Sequence, residues 1–126
     1  MFEIFYLRGQ QLSYARKVMD GEPKTISALA LVSIHSAIAY NDALHIRLTG
    51  KRPKGDDHKT AAISTEKSCR VRKLNTAGIV HLKTLIEKKT AYSYGNSAVT
   101  SEQAQAVSIK AERFEAWVNQ IIKELE

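Results

Sequence analysis

Apolar residues recur along most of this chain in steps of three and four, the spacing of helices that each bury a face. Between residues 2 and 20, Phe5, Leu12, Ala15 and Met19 share one stripe, with Phe2 and Tyr6 beside it. Gly21 and Pro23 follow and end the pattern, because glycine closes a helix in the left-handed conformation and proline blocks its continuation. A second pattern runs from Thr25 to Thr49, a helix roughly 37 Å long at ~1.5 Å per residue. Ile26, Ala30, Ser33, Ala37, Tyr40 and Leu44 line one stripe, and Ala28, Val32, His35, Ala39, Asp42 and Ile46 line another. A helix apolar or small-sided over so much of its circumference is covered by several neighbours. This one is expected to be central and to carry polar groups, His35 and Asp42 among them, into an otherwise apolar surface.

Gly50 and the breaker-rich KRPKG predict a charged turn. Asp56 or Asp57 is placed to cap a short third helix over residues 57–67 by accepting its free backbone N–H groups. A fourth helix is expected over 71–89, with Val71, Leu74, Gly78, Leu82 and Leu85 in sequence, Ile79 and Ile86 alongside, and Lys88 and Lys89 at its negative end. TAYSYGNSAVT then reads as a connector, and Thr100 with Gln103 as a capping box opening the last helix. Val107, Ala111, Phe114, Val118, Ile121 and Leu125 form its stripe, flanked by Trp117 and Ile122. No stretch alternates as a strand does, and no internal repeat occurs. The expectation is one all-α domain over residues 1–126, an up-and-down bundle of four main helices plus one short helix.

The chain has 126 residues, 44 % of them hydrophobic, enough to bury a core without disulfide or metal. Cys69 is the only cysteine, which excludes an intrachain disulfide and every cysteine-based zinc pattern. With no His-containing motif beside it, it reads as a buried free thiol and suits a reducing cytoplasm. Glu3 and Arg8 interrupt the apolar N-terminus, unlike a signal peptide, and no run reaches the ~18 apolar residues of a membrane helix. A cytoplasmic protein without a membrane partner is expected. Nineteen Lys and Arg against 13 Asp and Glu leave a charge of +6 and a pI near 9.5, a field that attracts RNA or a nucleotide.

Candidate chemistry gathers in two places. In the turn after the second helix, His58 has the chemistry of an acid–base group near neutral pH, and Lys51, Arg52 and Lys54 could hold a phosphate. Asp57 and His58 are most cheaply explained as a helix start, with the Asp side chains capping. After the fourth helix, Lys88, Lys89, Tyr92 and Tyr94 combine cations with aromatic rings that could stack a base, or pack over the bundle's end. His35 and Asp42 lie about 10.5 Å apart along their helix, too far to bond directly, so each needs a partner from elsewhere. Asp42, His45, Asp57 and His58 offer metal-ligand types without HxxxH or HExxH spacing, so no metal or other cofactor is expected. Glycine-rich phosphate loops and GxSxG elbows are absent from the sequence.

HSAIAYNDAL on the second helix, the turn GKRPKGDDHKTAA, the fourth helix ending EKKTAYSYG and the closing AERFEAWV together resemble a HEPN-domain protein over nearly the whole chain. The resemblance implies a bundle of four to five helices that commonly forms homodimers through helix faces, often paired with a minimal nucleotidyltransferase in toxin–antitoxin modules. Many members cleave RNA without metal, using an Arg, four to six residues, then a His, between the third and fourth long helices. Here that place holds Lys88, Lys89, Thr90, Ala91, Tyr92, Ser93 and Tyr94, with neither residue. Arg52 and His58 match the spacing, but in the turn after the second helix. The leading expectation is therefore a non-catalytic HEPN-like bundle that binds a nucleotide, RNA or a partner protein. Its site residues are His35, Asp42, Lys51, Arg52, Lys54, Asp57, His58, Lys88, Lys89, Tyr92 and Tyr94. The alternatives are a metal-independent endoribonuclease using His58 and Arg52, and a structural interaction module with an exposed apolar helix face.

Overall fold

The computed structural model describes residues 1–55, 57–94 and 98–126, without the side chain of Tyr94. Asp56, the alternative cap, and Gly95, Asn96 and Ser97 of the expected connector lie outside the described residues. Among the described residues the protein is an all-α bundle of five helices: α1 Phe2–Met19, α2 Ile26–Thr49, α3 His58–Val71, α4 Ile79–Tyr94 and α5 Ser101–Leu125. A single 3-10 turn at Pro23–Thr25 joins α1 to α2.

The small residues of α2 allow close neighbours, and the helix touches every other one. Towards α1, the Ser36 hydroxyl donates to the Gly9 carbonyl at 3.3 Å. A Cβ added at Gly9 would stand 3.0 Å from the Tyr40 ring, so the glycine sets how close α1 comes. Towards α5, Tyr40 donates to Glu115, and towards α3, His45 meets Ser64. Ile34, Leu44, Leu82, Leu85, Phe114, Val118 and Ile121 meet in the main core. Truncating such a residue, Phe114 for instance, removes about 3–5 kcal/mol of stability.

Several ends follow from local chemistry. Gly50 takes the left-handed conformation at φ 78° and returns its N–H to the Ile46 carbonyl, closing α2. The Asp57 carboxylate accepts from the Lys59 N–H at 3.0 Å, and the Thr100–Gln103 capping box is formed in both directions.

Two expectations are corrected. α3 extends to Val71, and α4 starts at Ile79 instead of residue 71 and runs to Tyr94 instead of Lys89. The break is a Schellman motif: Lys73 sits at φ 58°, Leu74 N–H donates to the Cys69 carbonyl, and Lys73 N–H donates to the Arg70 carbonyl. Val71, assigned to an apolar stripe, is consequently 84 % exposed. Asn75 then accepts from Trp117 Nε1 at 2.8 Å, and Gly78 lies so close to the indole that a Cβ there would come within 2.3 Å of it. The second correction concerns α2. His35 is exposed, and the polar residues α2 carries inward are Ser33, Ser36, Asn41 and His45.

Candidate functional site

The turn between α2 and α3 folds back against the end of α2 because His45 holds it there. His45 is buried, its Nδ1 stands 2.7 Å from the Lys51 carbonyl, and its Nε2 stands 2.8 Å from Ser64 Oγ. A carbonyl only accepts, so Nδ1 carries the proton and donates to Lys51. Thr49 adds a second donor to the same carbonyl at 3.1 Å, and Arg72, which follows the last residue of α3 as its C-cap, donates to the Leu48 carbonyl at 2.9 Å. Both ring nitrogens of His45 are therefore engaged in joining the turn to α3.

This anchoring sets Arg52 over the ring of Phe5, with the guanidinium carbon 4.6 Å from the ring centroid, and brings its Nη2 to 4.0 Å from Asp42 Oδ2. Asp42, Arg52 and His58 line a cavity of about 170 Å³, together with Pro53, Gly55, Asp57 and Ala61. Burial raises the pKa of Asp42, while the positive fields of Arg52, His58, His45 and Arg8 oppose that shift. A second cavity of about 350 Å³ adjoins it, sharing Arg52 and Ala61. Its walls carry Lys51 and Lys54 and the hydroxyl residues Thr49, Thr60, Ser64 and Ser68. Cations beside hydroxyl donors form a surface suited to an oxyanion such as phosphate, while the half-sequestered Asp42 carboxylate opposes an anion there.

Asp57 has a structural task. Its carboxylate accepts from the Thr60 hydroxyl at 2.8 Å and from the Lys59 N–H, and these bonds lower its pKa. His35 stands beside the site rather than in it. Desolvation of its ring lowers its pKa first, and the fields of Lys89 and His58 follow. The ring keeps solvent contact, so the desolvation is partial.

The run after residue 87 does not act as one patch. Lys89 is half-buried and its field reaches His35, whereas Lys88 and Tyr92 line a separate apolar cavity of about 140 Å³ with Leu85, Val107 and Lys110. Tyr92 also packs against the cluster of Leu29, Ala30 and Ala104. Of the expected site residues, the structure thus gathers Asp42, Lys51, Arg52, Lys54 and His58, places Lys89 and His35 at the edge, and separates Lys88 and Tyr92. Tyr94 has no described side chain.

Phe5 and Arg8 of α1, and the anchoring role of His45, were not expected. His45 and Thr49 stand one turn apart directly before the breaker sequence, a spacing that could have signalled a clamp. Phe5 and Arg8 carry no such signal, since only the packing of α1 on α2 brings them here. No family model, curated protein or solved structure matches this chain.

Proposed function

We propose that the protein is a HEPN-like helical bundle that binds a phosphate-bearing ligand, a nucleotide or RNA, at the Lys51–His58 turn. The observation that carries this reading is Arg52, which lies over Phe5, reaches Asp42 and opens onto two cavities rimmed by Lys51, Lys54 and His58. A phosphate there takes the guanidinium donors that Asp42 leaves free, and the neighbouring lysines and hydroxyls complete its shell.

Retention of labelled single-stranded RNA and of nucleotides, measured across a salt series, tests this. Affinity is expected to fall steeply with salt as counterions are released. Arg52→Ala is expected to weaken it about 10-fold, in line with the loss of one charge-assisted contact. No retention at low salt, or affinity unchanged in Arg52→Ala, would sink the proposal.

The convergence of Asp42, Arg52 and His58 in one cavity favours a second reading, a metal-independent endoribonuclease. In that chemistry His58 takes the proton of a 2′-hydroxyl, whose oxygen attacks phosphorus while the 5′-oxygen leaves. Arg52 stabilises the charge on the phosphorane oxygens, and Asp42, kept protonated to higher pH than an ordinary carboxylate, supplies the proton the 5′-oxygen needs. Cleavage of structured RNA in EDTA that disappears in His58→Ala would replace the binding-only reading with this one.

A further inference from the structure

The cavity of about 140 Å³ between α4 and α5 shares no lining residue with the two at the turn. Its floor is Leu85 and Val107, both buried core side chains, with exposed Ala106 and the half-buried Tyr92 beside them. Steps of four along α4 bring Thr84, Lys88 and Tyr92 to it, and α5 contributes Gln103 and Lys110, two turns apart. An apolar hollow with a cation from each helix suits a charged molecule that has an apolar body.

The polar groups narrow that choice by the bonds they have already made. The Thr84 hydroxyl donates to the Val80 carbonyl at 3.1 Å, and the Gln103 amide oxygen accepts from the Thr100 N–H at 3.0 Å within the capping box. Gln103 therefore has its amide N–H groups left to offer, and with the Tyr92 hydroxyl and the Lys88 and Lys110 ammoniums they make a set of donors. Neither lysine pairs with a carboxylate among the described residues, and no acidic side chain is among those lining the cavity. At Arg52, by contrast, Asp42 and Asp57 stand in the wall. Positive charge continues along α5 beyond Lys110: desolvation lowers the pKa of His81 first, and the fields of Lys110 and Arg113 add to it. A carboxylate, which only accepts and carries negative charge, matches these donors.

The floor selects the rest of the molecule. At about 10–15 Å³ for a water-sized sphere, the space takes a body of on the order of ten non-hydrogen atoms, near the size of a bicyclic aromatic ring. The phosphates and sugars of a nucleic-acid strand have no such body to set against Leu85 and Val107.

We propose that this cavity binds a small organic carboxylate, with its aryl or alkyl body on Leu85 and Val107 beside Tyr92 and its carboxylate held by Lys88 and Lys110. The inference is independent of the phosphate-binding reading at the turn.

Titration of the isotope-labelled full chain with naphthoate, followed through backbone amide shifts, tests it. Saturable shifts are expected over residues 84–92 and 103–110, with a dissociation constant of roughly 0.1–1 mM, ordinary for a ligand of this size. Naphthalenemethanol, the same body without the charge, should bind about 5–10-fold more weakly. Lys88→Gln with Lys110→Gln should weaken naphthoate about 10-fold and leave the alcohol unaffected. Ala106→Trp fills the cavity from an exposed position, so it should abolish binding of both while helicity by circular dichroism stays unchanged. Arg52→Ala should leave naphthoate affinity as it is, which separates this outcome from that of the proposal at the turn. Absence of saturable shifts below ~5 mM, weaker than any ordinary specific contact, overturns the inference. So do shifts centred on the Lys51–His58 turn, equal affinity for the alcohol, or an affinity that the paired lysine changes do not move. A short single-stranded RNA that displaces naphthoate, with an affinity falling steeply with salt, would assign the groove to nucleic acid instead.

Discussion

Arg16 and Arg52 approach carboxylates at nearly the same distance, 3.8 Å to Glu115 and 4.0 Å to Asp42, under opposite conditions. The Arg16 side chain is 5 % exposed, and its guanidinium also donates to Ser108 and Ser13. Glu115 in turn accepts from Ser13 and from Tyr40, so α1, α2 and α5 share one hydrogen-bonded network. Arg52 is 59 % exposed and has an aromatic face behind it and open space in front. The first arginine is committed to the fold, whereas the second retains donors for something else. Proximity of opposite charges does not distinguish the two roles, but the number of remaining donors and the access of solvent do.

The contrast is broken most directly at Arg16. Arg16→Ala leaves Glu115 in a partly buried site without its cation and should cost about 3 kcal/mol, at the lower end for a disrupted buried pair because two hydroxyls still donate. Urea unfolding measures it, and a loss under ~1 kcal/mol, the range of a surface pair, would erase the distinction. Tyr40→Phe removes one donor to the same carboxylate and should cost about 1 kcal/mol by the same measurement.

At the open pair the expected effects on stability are smaller and their pH dependence is informative. Burial holds folded Asp42 above its unfolded carboxylate value, so the native state keeps that proton while the unfolded chain has released it. Stability therefore falls as pH rises from the unfolded value through the folded one, and then levels. Asp42→Asn should remove this slope and change neutral-pH stability by no more than ~1 kcal/mol, because losing the desolvation cost of a largely buried charge offsets losing a long ion pair to an exposed arginine. It should also strengthen binding of an anionic ligand, since a repelling charge is gone. A steep loss of stability in Asp42→Asn would make the open pair as structural as the closed one.

Much of the fold was legible because its signals are local. The stripe and capping box of α5, the Asp57 cap and Gly50 each need only neighbours in sequence. The α3–α4 boundary was not legible, since Val71, Leu74 and Gly78 keep a helical period across a break that a lysine makes at a position glycine usually holds. In the candidate site, Arg52 and His58 were readable from the turn chemistry and Asp42 from its place on α2. Phe5 was not, because its role depends on α1 lying against α2. Lys88 and Tyr92 were grouped with the site because cations at a helix end followed by aromatic rings match a base-stacking pattern, with Tyr92 read as part of a connector. On a helix, successive residues point about 100° apart, so Lys88 and Lys89 face different neighbours.

The contact between Trp117 and the 75–78 segment also determines what an optical experiment on this protein detects. Trp117 is the only tryptophan, 6 % exposed, with its indole N–H held by Asn75 and its ring against Gly78. Its intrinsic fluorescence therefore reports the docking of the α3–α4 link onto α5, on the scaffold side of the molecule. A ligand entering the cavities at Arg52 would leave that emission largely unshifted. Release of the link would quench or red-shift it even while the turn at Lys51–His58 kept its form, so binding there is better followed by a probe on the ligand.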